Sequence, residues 1–166
     1  MSNNVVFEDY SVQVKSAIRD KAISFLDEVG GELRSRTERN SRRDTGDTAG
    51  SYEYKVDEGQ LAVHVGSNYP NAIWEEFGTG KYALNGDGRK GWWVYVTGSS
   101  EKKTSTKSKT YHSAQQAKMA VALLRSKGLD AHMTQGKSAN RPLWKAFESF
   151  KSAIIRRAED IFGGLN

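Results

Sequence analysis

Few residues in this chain have the type and spacing that chemistry requires, and each has an ordinary alternative. Asp44-Thr45-Gly46 carries the core of an aspartic-protease signature, in which two such carboxylates share a proton and activate water. That chemistry needs an apolar strand before the aspartate and a paired copy from a second lobe. Ser41-Arg42-Arg43 precedes it here, so the triplet reads as a helix-to-strand turn. Ala131-His132-Met133-Thr134-Gln135-Gly136-Lys137-Ser138 fits a relaxed phosphate-loop pattern. A phosphate loop leads its backbone amides straight into a helix, whereas the next helix signal waits until Pro142, so a surface loop is expected. His64, His112 and His132 have neither helical i, i+4 pairing nor a nearby Cys, which argues against zinc. Glu75-Glu76 could split their pKa values for acid–base work. On a strand, however, neighbours point to opposite faces, and a carboxylate that binds a backbone amide or a neighbouring Arg is the better expectation. No Gly-x-Ser-x-Gly elbow is present. No catalytic, cofactor or metal site is therefore assigned.

The frame around these residues is set by 166 residues with Lys+Arg 25 against Asp+Glu 20, a net charge of +5. This length predicts one domain with room for an inserted subdomain. At 37% hydrophobic and 27% charged the composition is that of a globular protein with a modest core. Zero cysteines exclude disulfides, Cys-ligated zinc, iron–sulfur clusters and Cys nucleophiles. No apolar run approaches the roughly 18 residues of a membrane span, and Met-Ser-Asn-Asn begins no secretory signal, so a soluble cytosolic protein without a cofactor is expected.

Along the chain, Val14, Ile18, Ala22, Phe25 or Leu26, Val29 and Leu33 recur at helical spacing and predict an amphipathic helix from Tyr10 to about Arg39. Gly30-Gly31 should weaken its middle and permit a bend. Ser51–Val56 and Leu61–Gly66 alternate with period two around a polar Asp57–Gln60 link, which predicts a β-hairpin. Ala72 to Phe77 is ambiguous. Trp92–Val96 reads as a strand, 98–110 as a mobile Lys-rich loop, 113–127 as a helix capped by Gly128, and 129–134 as a returning strand. Asn140 is a candidate cap for a last helix opened by Pro142, with the stripe Leu143, Phe147, Phe150 or Lys151, Ile154, Ala158 and Ile161, stopped by Gly163-Gly164.

The basic surplus admits a second reading, a small nucleic-acid-binding protein. Arg34, Arg36, Arg39, Arg42 and Arg43 at a helix end, with Lys102, Lys103, Lys107 and Lys109 in the loop, could contact phosphate backbone. Trp92, Trp93 and Tyr95 could stack on bases. No helix-turn-helix, RNP or zinc-finger spacing accompanies them.

Three stretches in this order carry a resemblance. They are the long helix with a basic end running into Arg43-Asp44-Thr45-Gly46 and a tyrosine-bearing strand, then Trp74-Glu75-Glu76-Phe77-Gly78-Thr79-Gly80, then Asn140-Arg141-Pro142-Leu143-Trp144-Lys145-Ala146-Phe147. Together they resemble the tailed-bacteriophage neck protein family of head–tail joining, tail-completion and minor structural proteins, over about 1–84 and 137–162. Residues 85–136 depart from it as an insertion.

The resemblance implies an α+β fold, with a small antiparallel sheet packed by long N- and C-terminal helices, to which the residue pattern of 92–134 adds an inserted strand–loop–helix–strand unit. It implies a virion structural protein without enzymatic activity, made in the bacterial host cytoplasm. Its partners would be copies of itself in a ring, neighbouring connector, stopper, tail-terminator or tail-tube proteins, and phage DNA by non-specific contact, with no membrane. Trp74, Glu76, Phe77, Gly78, Thr79, Gly80, Arg141 and Trp144 are the implied interface residues. The Arg34–Arg43 run and the four loop lysines are the candidate DNA-channel contacts. Gly78 and Gly80 should permit positive φ or close backbone approach. Trp74 and Phe77 are expected to anchor the turn against Phe147 and the last helix, with Phe77→Ala costing about 3–5 kcal/mol.

Overall fold

The computed structural model describes residues 8–43, 45–97 and 109–165. The chain runs through α1 (Ser11–Asn40), the single turn α2 (Asp47–Gly50), the hairpin strands β1 (Tyr52–Asp57) and β2 (Ala62–Ser67), and α3 (Pro70–Phe77). A 3-10 turn at Gly80–Tyr82 leads to β3 (Trp92–Thr97), the short β4 (Thr110–Tyr111), α4 (Ala114–Ser126) and β5 (Asp130–Thr134), and α5 (Pro142–Phe162) follows. The architecture is α+β. Strands β1 and β2 form one sheet and β4-β3-β5 another, and every pairing is antiparallel.

Helices α1 and α5 run antiparallel. Asn40 Nδ2 donates to the Pro142 carbonyl (3.3 Å) at one end, and Arg157 pairs with Glu28 (2.6 Å) further along. The Phe25 and Phe162 rings meet edge to face with centroids 6.2 Å apart. Val29, Leu33, Ala146 and Phe150, each pair one helical turn apart, form the core, and Val63 and Val65 of β2 close it from the sheet side. Phe150 is buried between the guanidinium groups of Arg36 and Arg157, which lie 4.6 and 5.3 Å from its ring centroid. At about 1.5 Å per residue α1 is roughly 45 Å long and α5 roughly 32 Å, so the start of α1 projects past its partner. Tyr10, Val12 and Val14 there are exposed.

The expected weak point at Gly30-Gly31 is instead a crossing. The helix runs unbroken through both residues because β1 and β2 lie against them, and a Cβ at Gly30 would stand 2.7 Å from Val63 Cγ2 and collide with the Tyr54 ring. Gly31 has more room, its nearest neighbour being the Tyr54 hydroxyl at 3.8 Å.

The insertion holds a sheet of its own. Ala117 and Val121 of α4 are buried with Ala131 of β5, and the Ser113 hydroxyl accepts from Gln116 N (3.2 Å) to cap α4. Two expectations change. Ala72–Phe77 belongs to a helix, opened by Pro70 in its first turn, so the strand argument for Glu75-Glu76 does not apply. Thr110 is part of β4, paired with Trp93, and not of a loop. The rest of the expected mobile loop, 98–108, with Lys102, Lys103 and Lys107, lies outside the described residues.

The crossing predicts opposite signs for two adjacent substitutions. Gly30→Ala should destabilise by about 1–3 kcal/mol through overpacking, while Gly31→Ala should stabilise by up to about 1 kcal/mol through helix propensity. Chemical denaturation of the two variants checks this, and equal effects would place the hairpin elsewhere.

Candidate interaction site

Helix α3 buries Ala72 and Glu75, which lie three residues apart on one face. Glu75 Oε1 accepts hydrogen bonds from Arg42 N (2.6 Å) and from Asn140 Nδ2 (2.8 Å), and the Glu75 carbonyl accepts from Asn140 N (2.8 Å). Asn140 Nδ2 also donates to the Asn40 carbonyl at 2.7 Å. One buried carboxylate thus joins the end of α1, α3 and the segment entering α5.

Glu76, the next residue around α3, acts on α5 directly. Its Oε2 accepts from Leu143 N (2.9 Å) and its Oε1 from Trp144 N (3.1 Å). These amides belong to the first helical turn and have no partner within the helix, and Pro142 has no N–H to satisfy. The negative charge also faces the positive end of the helix dipole. Asn140 is therefore not the cap that the sequence suggests. Arg141 occupies the cap position at φ 58° without a side-chain cap bond, its guanidinium 4.0 Å from the Trp144 ring centroid, and the capping is done from α3.

Tyr52 of β1 is buried against this junction, and its hydroxyl has no hydrogen-bond partner in good geometry. The neighbouring Ser41 hydroxyl donates to the Thr37 carbonyl (3.0 Å). Burial, with the charges of Glu75 and Glu76, pushes the Tyr52 phenol above its ordinary value of 10.0, against a smaller opposing effect of Ser41.

Beyond α3 the chain makes a tight backbone crossing. Gly78 and Gly80 have φ of 74° and 59°, and Gly136 has φ 124°. Thr79 N donates to the Lys137 carbonyl (2.9 Å), Lys81 N to the Gln135 carbonyl (2.8 Å), and Lys137 N to Thr79 Oγ1 (3.0 Å). A Cβ at Gly80 would collide with the Gln135 carbonyl, and one at Gly136 with that of Thr79. The Gly78-Thr79-Gly80 segment is thus where the inserted unit rejoins the main body. The same crossing explains why the phosphate-loop-like sequence cradles no anion in that way. Its amides and carbonyls bond this chain, Ser138 receives the Arg42 guanidinium (3.1 Å to its carbonyl), and a helix begins only at Pro142.

The basic run is engaged within the chain. Arg34 Nε donates to the Tyr52 carbonyl (2.8 Å), Arg36 pairs with Glu32 (2.6 Å), Arg39 bonds Ser35 (2.6 Å) and Arg43 lies 3.9 Å from Glu38. Lys109 stands over the Tyr111 ring at 5.7 Å. Asp44 lies outside the described residues, while Thr45 and Asp47 bond each other in the turn (2.8 Å). Among the described residues no cluster of His, Cys, Asp and Glu could hold a metal, and no helix is long and apolar enough to cross a membrane.

The aromatic residues behave differently from the expectation. Trp74, Phe77, Trp144 and Phe147 are 44–55% exposed and are not buried anchors. Phe77→Ala removes surface packing and should cost about 1 kcal/mol, less than a core position would. Phe77, Trp144 and Phe147 border an open apolar groove of about 670 Å³ floored by Phe25, Leu26, Val29, Leu33, Val63, Val65, Leu143 and Ile154, with Glu76 and Arg141 as its polar members. Trp74 does not line it and borders instead a cleft of about 400 Å³ shared with Arg42, Asn71 and Lys137. The groove had a sequence signal. Helix α5 carries two apolar rows, Ala146 and Phe150 facing inward and Leu143, Phe147 and Ile154 along the groove, a stripe wider than one partner helix covers.

Comparison with protein-family models, curated proteins and solved structures finds no match to this chain.

Two measurements test the junction. Glu76→Ala should lower stability by about 1–2 kcal/mol, with Glu76→Gln between it and the parent, since the amide keeps one acceptor and loses the charge; thermal melts read the order. Because the folded Tyr52 holds its proton more tightly, its stabilising share is complete below pH 10 and falls as pH rises above that value. Unfolding free energy should therefore drop on alkaline titration, less steeply in Tyr52→Phe, and identical slopes would show that Tyr52 is not the group responsible.

Proposed function

We propose that this chain is a structural subunit of the tailed-bacteriophage neck, a head–tail joining or tail-completion protein that acts as one member of a closed ring around the DNA channel. Its role is mechanical and involves no bond-making. The observation that carries this reading is the open apolar groove between α1, β2 and α5, with exposed aromatic residues on its rim. A monomer gains nothing from apolar surface gathered into one concavity, whereas a subunit that docks buries it. The projecting start of α1, with Val12 and Val14 uncovered, is a second unpartnered surface at a distance from the first. Two different patches on one chain suit a head-to-tail contact, and such contacts close into rings when the rotation permits.

Two of the three sequence landmarks of the resemblance hold structural positions that suit the reading. The Glu76-Phe77-Gly78-Thr79-Gly80 segment caps α5 and forms the backbone crossing, and Arg141-Pro142 opens α5 beside it. The partners proposed are further copies of the chain and the connector, stopper, tail-terminator or tail-tube proteins above and below, in the virion and in the host cytoplasm during assembly. The rival reading, phosphate binding by the arginine run, is weakened because Arg34, Arg36, Arg39, Arg42 and Arg43 already have partners within the chain.

Sedimentation velocity over a wide concentration range, with negative-stain microscopy of the largest species, tests the proposal. Rings are expected, and Phe147→Asp on the groove rim should return the protein to monomers with little change in melting temperature. Monomers at every concentration, or an assembly indifferent to Phe147→Asp, would overturn the role given to the groove.

A further inference from the structure

Charge is unevenly shared along the sequence. Residues 85–136 hold nine Lys and Arg against three Asp and Glu, while the remainder holds 16 against 17. The basic surplus of the whole chain thus belongs to the insertion.

The insertion has a groove of its own. About 470 Å³ in volume, it lies between α4 and the β3–β5 pair and is bordered by Tyr95, His132, Met133, Val121, Lys118 and Arg125. Tyr95 and His132 are cross-strand partners with rings stacked at 5.5 Å between centroids and 27° between planes. The stack is held in place from one side. His132 Nε2 lies 3.0 Å from Asp130 Oδ1 and 3.3 Å from Thr97 Oγ1, and the Thr97 hydroxyl also bonds Asp130. Asp130, the nearby carboxylate, bonds Thr97 and His132 in this network, and its charge also acts on Arg125. Tyr95 remains 47% exposed. On the helix side, Arg125 Nε donates to the Ala131 carbonyl (2.9 Å), which fixes the guanidinium while its terminal nitrogens make no hydrogen bond among the described residues. Lys118 lies two turns earlier on the same face, about 10 Å along the axis.

We propose that this groove binds single-stranded nucleic acid, with an unpaired base stacked on Tyr95 and backbone phosphates paired with Lys118 and Arg125. An aromatic face beside two cations, one of them anchored through Arg125 Nε, is what a strand with exposed bases and a charged backbone recognises. An acidic polypeptide would use the cations and leave the ring stack without a role. A duplex would keep its bases out of Tyr95's reach. The inference does not depend on ring formation, since every residue it uses lies on the insertion of one subunit.

Fluorescence anisotropy of labelled oligo(dT) with the full-length chain at low salt tests it. Binding is expected, weakening linearly on a log–log plot as KCl rises. Tyr95→Ala should lower affinity about tenfold and Tyr95→Phe should leave it near the parent, because the stacking face is kept. Lys118→Glu should also lower affinity, whereas Lys15→Glu, an equal change of charge on the distant start of α1, should change it little. The proposal is overturned by absence of binding at low salt, by equal losses in Lys118→Glu and Lys15→Glu, or by insensitivity to Tyr95→Ala. It is also overturned if duplex DNA or poly-glutamate competes as well as unlabelled oligo(dT). Competition and charge-control outcomes leave the neck assembly untouched, and loss of rings leaves the oligo(dT) result untouched, so the two readings fail separately.

Discussion

Two adjacent carboxylates on a short helix hold this fold together. Glu75 is buried and bonds the backbone beyond α1 and the side chain ahead of α5, and Glu76 takes the free amides of the first turn of α5. Neither interaction is local in sequence. Buried backbone donors and a helix terminus need partners wherever the chain can supply them, and an ionised acceptor meets both needs more strongly than a neutral one. Because α5 forms half of the hydrophobic core, the placement of Phe150 and Ala146 against Val29 and Leu33 depends on where Glu76 sets the beginning of that helix. The glycine crossing immediately after α3 continues the same constraint. It fixes the chain leaving α3 against the chain returning from the insertion, with so little space that side chains are excluded at Gly80 and Gly136.

From this junction the molecule divides its apolar surface between a buried core and an open groove. The inward row of α5 completes the core, while the neighbouring row lines a groove that no element among the described residues covers. Both rows lie on one helix, so a change in its rotation would exchange core for open groove. Trans-capping by Glu76 limits that rotation at the end where Leu143 and Trp144 enter the groove. The insertion is attached at the same point and carries a different surface, basic and aromatic, on a sheet that shares no hydrogen bonds with the hairpin sheet. The apolar groove and the basic, aromatic one are thus built from different residues of one small chain.

Much of the fold was legible in the sequence, because periodicity reports local geometry. The 3.6-residue spacing of Val14 to Leu33 and of Leu143 to Ile161 locates α1 and α5 within a residue or two, and the two alternating runs locate the hairpin. The strand–helix–strand order of the insertion was readable for the same reason. The eight residues of α3 defeated periodicity through brevity. An exposed Ile73 and Trp74 beside a buried Glu75 reverse the usual polarity of a short amphipathic segment. Gly30-Gly31 misled in a different way. Helix propensity treats glycine as a weakness, but here it is the clearance that a crossing strand requires, and nothing within α1 announces that strand.

What the sequence by itself determined is the two long helices, the hairpin, the strand–helix–strand order of the insertion and its charge imbalance, all of which follow from residue type and spacing along a line. What only tertiary structure decided is which polar groups meet. Glu76 had to be brought to α5 across 67 positions of chain, and Glu75 to Arg42 across 33. The arginine run looked like a phosphate-binding stripe until folding placed carboxylates, carbonyls and a phenylalanine ring around it. Hydrogen bonds and ion pairs act over a few ångströms, whereas sequence spacing constrains only neighbours one or two turns away, so the elements could be read in advance and the contacts between them could not.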